Sequence, residues 1–257
     1  MAYTAEQVTD LLNRLQTVTG DLQALMFSTV VQGQEAAHPR VREHLLHGVA
    51  RRIDVIGRTI NNIFKRFPPD TDRPLAKDSL SDVQINMHAF VMNLYGVFDN
   101  WAWAFVYRHA LENQIPRRGV GLFQNRTTRY LPSVLQRYLG SQDITAWHED
   151  YLKSFRDALA HRVPLYVPPA EFTPGEGERY NLLESKKVGL IKAMEWERLD
   201  QIWAEQAEIG RPSFCFIHSY SEDEEPKTIL LHPQILSDGM AIVELGNMFI
   251  EHWHERS

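Results

Sequence analysis

The residues best suited to chemistry lie together in residues 150–164, DYLKSFRDALAHRVP. Asp157 and His161 are four residues apart, so in a helix they share one face and can touch. A carboxylate one turn before a histidine orients the imidazole ring and favours its protonated form. Arg156 precedes the aspartate, and Pro164 ends the helix just after His161, which leaves the imidazole at an accessible helix end. An acid–base histidine beside an arginine fits chemistry at a phosphate.

The spacing between arginine and histidine is specific only in its context. The pattern Arg-x4–6-His occurs four times, as Arg40–His47, Arg42–His47, Arg156–His161 and Arg211–His218. A pattern this frequent carries little weight by itself. Among the four pairs, only Arg156–His161 has Asn, Asp or His directly after the arginine and closes a predicted helix. It also lies in the basic stretch 101–170, which holds nine basic and five acidic side chains.

In this form, Arg156-Asp157-x3-His161 resembles the motif of the HEPN superfamily, in which an arginine precedes a histidine at a helix end. The resemblance covers residues 80–165, from the long helix through the connector to the motif helix. It implies a helical bundle, commonly dimeric, that acts as a metal-independent endoribonuclease. A toxin or defence component is the expected setting for such an enzyme.

The resemblance also implies a chemistry for each motif residue, with RNA as the substrate and no cofactor. The ribose 2′-hydroxyl would attack the neighbouring phosphodiester and leave a 2′,3′-cyclic phosphate. His161 would be the general base or acid, Arg156 would stabilise the transition-state charge, and Asp157 would orient one or both. Because one imidazole cannot easily serve as both base and acid, we expect a homodimer in which two motifs share one phosphate. An antitoxin or another protein partner is a further expectation.

The long central helix adds polar residues that must find partners. Asn86, Asn93 and Asn100 recur every seven residues on an otherwise apolar helix, and Asp99 adjoins Asn100. If they are buried, these groups need hydrogen bonds, either to neighbouring helices or to the end of the motif helix. We assign substrate binding to Asp99, Asn100 and Arg162. For Asn86 and Asn93 the alternative is a purely interhelical role.

Structural roles remain open alternatives at the motif and at the connector. Asp157 would then form a salt bridge that holds Arg156 and His161, while the imidazole satisfies carbonyl groups at the helix C-terminus. Four arginines of the connector would be either an electrostatic funnel for RNA or part of a solvated loop; they are Arg117, Arg118, Arg126 and Arg129.

Two histidine groups have metal-ligand spacing but incomplete ligand sets. Glu43, His44 and His47 share a helical face, and Glu251 and His254 have the Glu-x-x-His spacing of helical di-iron sites. Such a site needs two of these motifs and two further glutamates, whereas one motif is present. Solvated helix faces explain both groups, so we expect no metal site.

The elements that position these residues are predicted to be helices over most of the chain. Apolar residues at helical spacing predict helices at about 4–31, 39–67, 80–114, 132–139, 143–161, 194–209 and 236–253. The polar stretch 170–189 is predicted to be a loop. The runs 211–219 and 228–232 predict a small antiparallel β-hairpin around an acidic turn. The fold class is therefore mainly α, a helical bundle with a small antiparallel hairpin near the C-terminus.

Length and composition predict one globular domain. The 257 residues are 44% apolar and 23% charged, which excludes a disordered or fibrous protein. Within a single helical domain, residues 1–257, the HEPN-like core is expected at 80–165. N-terminal helices would occupy 4–67, and a helix–hairpin–helix extension would occupy 190–255. The single cysteine, Cys215, excludes an intramolecular disulfide.

No apolar run approaches the roughly 18 residues of a membrane span, and the first residues have no basic or apolar leader pattern. We therefore expect a soluble, cytoplasmic protein with no membrane contact. Two other classes of function remain open. A non-catalytic HEPN-like module would bind RNA, a nucleotide or a protein and tolerate loss of His161. A structural protein would dock a partner through residues 171–257, which hold 17 acidic and eight basic side chains.

Overall fold

The computed structural model of the protein describes residues 3–217 and 228–256. It is mostly helical, with two short antiparallel strands near the C-terminal end, which confirms the predicted fold class. The helices are α1 (Ala5–Glu35), α2 (Pro39–Glu43), α3 (Ala50–Arg66), α4 (Lys77–Arg108), α5 (Asn125–Thr128), α6 (Ser133–Leu139), α7 (Gln142–Ala146), α8 (Lys153–His161), α9 (Pro174–Ala193), α10 (Trp196–Ala207) and α11 (Leu231–His252). Two π-helical turns, His44–Val49 and Trp147–Leu152, join α2 to α3 and α7 to α8, and the strands are β1 (Cys215–Ile217) and β2 (Thr228–Leu230).

Helix α1 begins with a reciprocal cap. The Thr4 hydroxyl accepts a hydrogen bond from the backbone N–H of Gln7 at 3.2 Å, and the Gln7 side-chain oxygen accepts one from the backbone N–H of Thr4 at 2.9 Å. Helix α1 packs against α3 and α11. At Gly246 of α11, a Cβ atom would lie 2.5 Å from Cδ2 of Leu25, so the glycine permits the close approach of α1 and α11.

Helix α4 is the central element of the bundle. Its residues Trp101 and Phe105 are fully buried, and the helix packs against α3 and α8. The predicted contact between the long helix and the motif helix is thereby confirmed. Helix α4 ends at Arg108, before the predicted end at 114. Ala110, with a φ of 50°, reverses the chain there, and the Leu111 N–H donates to the Val106 carbonyl at 3.0 Å.

One hydrophobic core connects helices from both ends of the chain. It contains Leu22 of α1, Ile60 of α3, Phe105 of α4, Phe155 of α8 and Phe249 of α11. The first and last helices therefore share a core with the segment that carries the HEPN-like motif.

The loop predicted at 170–189 is wrong, because helix α9 occupies most of it. The Thr173 hydroxyl accepts from the backbone N–H of Glu176, and the Glu176 carboxylate accepts from the backbone N–H of Thr173 at 2.8 Å. Pro174 takes the first helical position, where a missing N–H costs nothing. Within this fully described helix, Leu183 is the one buried residue, so no apolar stripe marked the helix in the sequence.

The hairpin lies where the sequence predicts it, but both strands are shorter: β1 begins at Cys215 instead of 211, and β2 ends at Leu230 instead of 232. Cys215 pairs with Leu230 and Ile217 pairs with Thr228 in antiparallel register. Helix α11 begins at Leu231, which corrects both the predicted strand end at 232 and the predicted helix start at 236. His232 lies in the first turn of α11. Its side chain is buried, and its Nε2 donates a hydrogen bond to the Phe67 carbonyl. The predicted acidic turn lies in residues 218–227, outside the described residues.

Candidate active site

Helix α8 places Arg156 against α4. The Cζ atom of Arg156 lies 4.0 Å from the centroid of the Tyr95 ring, within the range of a cation–π contact. Its Nη1 donates to Oδ1 of Asp157 at 2.9 Å, and its Nε is buried with no hydrogen-bond partner among the described residues. The side chain is still 24% exposed. The guanidinium is therefore held by the Tyr95 ring and the Asp157 carboxylate, and the side chain as a whole stays partly exposed.

The motif residues are brought together only in part. Asp157 engages Arg156, and across the described residues no hydrogen bond or ion pair joins Asp157 to His161. His161 is the last residue of α8 and is exposed, as the sequence predicts for a helix end before Pro164. Arg162 is also exposed, and its backbone N–H donates to the Ala158 carbonyl at 3.0 Å.

Asp99 lies at a narrow cleft between α4 and the connector, close to the predicted catalytic arginine. The cleft has a volume of about 40 Å³, and Tyr95 and His148 are among the residues that line it. Asp99 is an exposed residue, but the packing around its carboxyl group raises the pKa of that group. The positive charges of Arg156 and Arg52 act to lower the same pKa. The structure therefore brings Asp99 into electrostatic contact with Arg156.

Asn100 faces the other way, toward α3. Its Oδ1 accepts from Nε of Arg52 at 2.8 Å, and its Nδ2 lies 3.3 Å from Nδ1 of His44. The same arginine donates through Nη1 to Oδ1 of Asn93 at 3.1 Å, and Asn86 accepts from Asn62 at 3.0 Å. The asparagines of α4 thus join helices, and Asn100 has no described contact with Arg156, Asp157 or His161.

His148 is a candidate functional residue that the sequence analysis did not single out. Its ring stacks on Phe123 at 3.6 Å between centroids, and its Nδ1 lies 3.0 Å from Oε1 of Glu149. Burial lowers its pKa, while Glu149 acts to raise it. Because Nδ1 faces the carboxylate, Nε2 is the ring nitrogen left for the cleft that His148 shares with Asp99. The adjacent His-Glu pair in the basic stretch was a usable signal.

The connector arginines border this cleft. Arg118 and Arg126 line a surface pocket of about 550 Å³ that shares Phe123 and Gln124 with the cleft. The buried Thr127 fixes the loop, because its hydroxyl donates to the Gly119 carbonyl at 2.8 Å and accepts from the Gly121 N–H at 3.2 Å. The loop thus holds two of the predicted four arginines in a pocket that adjoins the cleft. Arg129 stacks on Tyr130 instead, with its Cζ 4.8 Å from the ring centroid.

Neither a candidate metal site nor a membrane-spanning helix is found in residues 3–217 and 228–256. No group of three or more His, Cys, Asp or Glu residues in this part of the chain has the arrangement of a metal site. In the same residues, no helix combines the length and apolar character needed to cross a membrane. Comparisons of the chain with protein-family models, curated proteins and solved structures find no match.

Proposed function

We propose that the protein is a metal-independent endoribonuclease of the HEPN type that works as a homodimer. The observation that carries the proposal is the position of Arg156. Its guanidinium is held over the Tyr95 ring within electrostatic reach of Asp99, beside a cleft that adjoins the pocket of Arg118 and Arg126. Fixed donors beside a basic pocket suit a phosphodiester, which needs its developing charge stabilised in the transition state.

In the proposed reaction, a base removes the proton from a ribose 2′-hydroxyl, and O2′ forms a bond to the adjacent phosphorus. The bond from phosphorus to O5′ breaks, and an acid supplies a proton to the leaving oxygen. The products are a 2′,3′-cyclic phosphate and a 5′-hydroxyl end. His161 of one protomer is the base and His161 of its partner is the acid, and Arg156 binds the phosphoryl oxygens.

The dimer follows from this chemistry. One imidazole would have to accept a proton and donate a different one within a single turnover. Two copies of an exposed helix end can meet around one phosphate, because His161 and Arg162 lie on the surface of the protomer. A second copy of α8 would also place a second arginine at the phosphate.

The direct test is incubation of the purified protein with total RNA in EDTA, followed by analysis of the new ends. The proposal expects 2′,3′-cyclic phosphate and 5′-hydroxyl ends. A matched substrate methylated at each 2′-oxygen should remain intact, since it lacks the attacking group. Cleavage of the methylated substrate at the same rate would exclude the mechanism.

A non-catalytic module that binds RNA, a nucleotide or a protein is the second candidate, and one observation favours it. The Asp157 carboxylate engages Arg156 and leaves His161 without an orienting partner among the described residues. A catalytic histidine is commonly oriented by such a partner. This candidate expects RNA binding that survives His161→Ala and RNA that stays intact in the first experiment.

A further inference from the structure

Four aromatic rings form an open surface where the C-terminal half of α4 meets α2. The near-parallel pairs are Trp103–Tyr107 (5.4 Å between centroids, 27° between planes), His44–Trp103 (6.0 Å, 15°), His44–Tyr107 (5.7 Å, 22°) and His38–Tyr107 (5.7 Å, 18°). At these separations parallel rings are displaced sideways, not stacked face to face. His38 is exposed, and the other three are partly buried. This four-ring surface therefore presents ring faces to which another planar group can be added.

The chain around the four-ring surface is positively charged. Residues 38–52 contain four arginines and one glutamate. The glutamate, Glu43, is paired with Arg40 at 2.7 Å, so it offsets one of these charges. Arg51 is exposed, with Nη2 3.0 Å from Nδ1 of His47, and Arg42 is exposed as well. A planar ligand that also carries phosphates would meet complementary charge here.

A hydrogen-bonded chain runs from this surface to Arg52, whose charge also acts on Asp99 of the candidate active site. The Asn100 amide holds the His44 ring through Nδ1, and Arg52 holds the same asparagine. Arg52 in turn acts on the Asp99 carboxyl group, as Arg156 does from the other side. The four-ring surface and Arg156 are therefore two ends of one polar strip.

The floor of this strip is a single ridge of α4. Tyr95, Asp99, Trp103 and Tyr107 follow one another at a spacing of four residues, so successive members are neighbours in a row that turns gradually around the helix. Each of them is exposed or partly buried. Tyr95 and Tyr107 are twelve positions apart, which is roughly 18 Å along the helix at the usual rise per residue. A strand bound along the ridge would have several nucleotides between its stacked bases and Arg156.

We infer that the four-ring surface binds unpaired bases of single-stranded RNA and so selects unpaired regions as the substrate. The inference rests on the proposed function for its ligand. Bases stack on aromatic rings without regard to sequence, and arginines follow the backbone. In a duplex the base faces are covered by neighbouring pairs, so duplex RNA gains nothing from this surface. Asp99, between the rings and Arg156, accepts hydrogen bonds from base amino groups and disfavours a phosphate at that point of the ridge.

The test is binding of a short fluorescent oligouridylate, measured by anisotropy in EDTA. All variants are made in the His161→Ala protein so that no substrate is consumed. Trp103→Ala should weaken binding at least about 10-fold, since it removes the central stacking face. Trp103→Phe should restore most of the affinity. Trp196→Ala removes a tryptophan that is 57% exposed on α10 and should leave binding unchanged.

If Trp103→Ala does not fold, His38→Asn tests the inference in its place. The His38 ring accepts a hydrogen bond from the backbone N–H of Arg40 as the cap of α2, and asparagine keeps that cap while removing the ring. Loss of oligouridylate affinity of about threefold or more in folded His38→Asn supports the inference. Wild-type affinity in folded Trp103→Ala, or in His38→Asn where Trp103→Ala does not fold, overturns it. An undetectable affinity of the His161→Ala protein for the oligouridylate also overturns the inference.

The same variants separate this inference from the proposed function. If the wild-type protein leaves RNA intact but Trp103→Ala loses oligouridylate binding, the surface binds RNA and the nuclease proposal is wrong. If RNA is cleaved and Trp103→Ala binds normally, the nuclease stands and the inference falls. If Trp103→Ala instead converts a dimer to a monomer by sedimentation with RNA affinity unchanged, the surface is a contact between protomers, which also overturns the inference.

Discussion

The Cζ atom of Arg156 lies 4.0 Å from the centroid of the Tyr95 ring, although the two residues are 61 positions apart in the chain. The contact joins the motif helix α8 to the central helix α4. In the proposed site we expect the ring to position Arg156 for a phosphate. Its effect on catalysis should then depend on the aromatic face and not on the hydroxyl.

Tyr95→Leu should reduce RNA cleavage by about 10-fold, because it removes the cation–π contact that holds Arg156. Tyr95→Phe keeps the ring and should retain most of the wild-type rate. The measurement is cleavage of one defined RNA in EDTA by both variants at matched protein concentrations. Equal rates for Leu and Phe would show that the ring does not position the arginine.

The buried Asp238 should make the protein less stable as the pH rises from about 4 to about 6. Burial raises its pKa to about 6, although it accepts hydrogen bonds from Trp147, Tyr151 and Gln234. The folded protein thus holds this proton to a higher pH than the unfolded chain, whose carboxyl group titrates near 3.8. The stabilisation that Asp238 contributes is complete below pH 3.8. It falls by about 3 kcal/mol as the pH rises through 6.

Asp238→Asn should remove this loss. The variant has no proton to release, so the slope of unfolding free energy against pH between 4 and 6 should become more positive than in the wild type. Urea unfolding at a series of pH values measures the slope, and an unchanged slope would contradict the assignment. The absolute stability of the variant is not part of the prediction.

His232 should act in the opposite direction over the same range. Its Nε2 donates to the Phe67 carbonyl at 2.6 Å, and burial lowers its pKa to about 4. The unfolded chain takes up a proton near pH 6.5, whereas the folded protein stays neutral. The stabilisation that His232 contributes is complete above pH 6.5. It falls by about 3 kcal/mol as the pH drops through 4.

His232→Gln should therefore flatten the fall in stability below pH 6.5, since glutamine does not titrate. In the wild type the effects of Asp238 and His232 on the free energy of unfolding partly cancel between pH 4 and 6. Each single variant should therefore show the effect of the remaining residue. A calorimetric or urea series with Asp238→Asn and His232→Gln side by side should show the slope of unfolding free energy against pH changed in opposite directions from the wild type. Two variants with the same change of slope would exclude one of the two pKa assignments.

The proposed reaction also predicts the oligomeric state. A site that needs two imidazoles requires a homodimer at micromolar concentration, and analytical ultracentrifugation measures it directly. His161→Ala should remain a dimer, because the residue is exposed and its loss removes little packing. A strict monomer in both the wild type and the variant would count heavily against the nuclease.

Local signals in the sequence were sufficient for much of the fold. The reciprocal cap at Thr4 and Pro164 after the motif helix each specify a helix end within a few residues. Helix α9 was missed, because it buries one residue and therefore has no apolar period. The end of α4 was missed because Ala110, not the usual glycine, takes the positive φ.

The site was harder to predict, because its contacts are between distant residues. Arg156 and Asp157 could be found from their spacing, and the structure joins them. The roles of Arg52 and His148 depend on packing: Arg52 reaches Asn100 from 48 residues away, and His148 stacks on Phe123 of the connector. No pattern within one helix reports such pairs.

The central claim is that His161 and Arg156 perform RNA cleavage, and one comparison tests it most directly. Cleavage in EDTA and melting temperature are measured on the same preparations of wild type, His161→Ala and Arg156→Lys. His161→Ala should lose cleavage by about 10²–10⁴-fold at an unchanged melting temperature, as expected for an exposed acid–base group. Arg156→Lys should also fail, because lysine keeps the charge without the planar pair of donors. RNA cleavage at the wild-type rate by a folded His161→Ala protein would contradict the central claim.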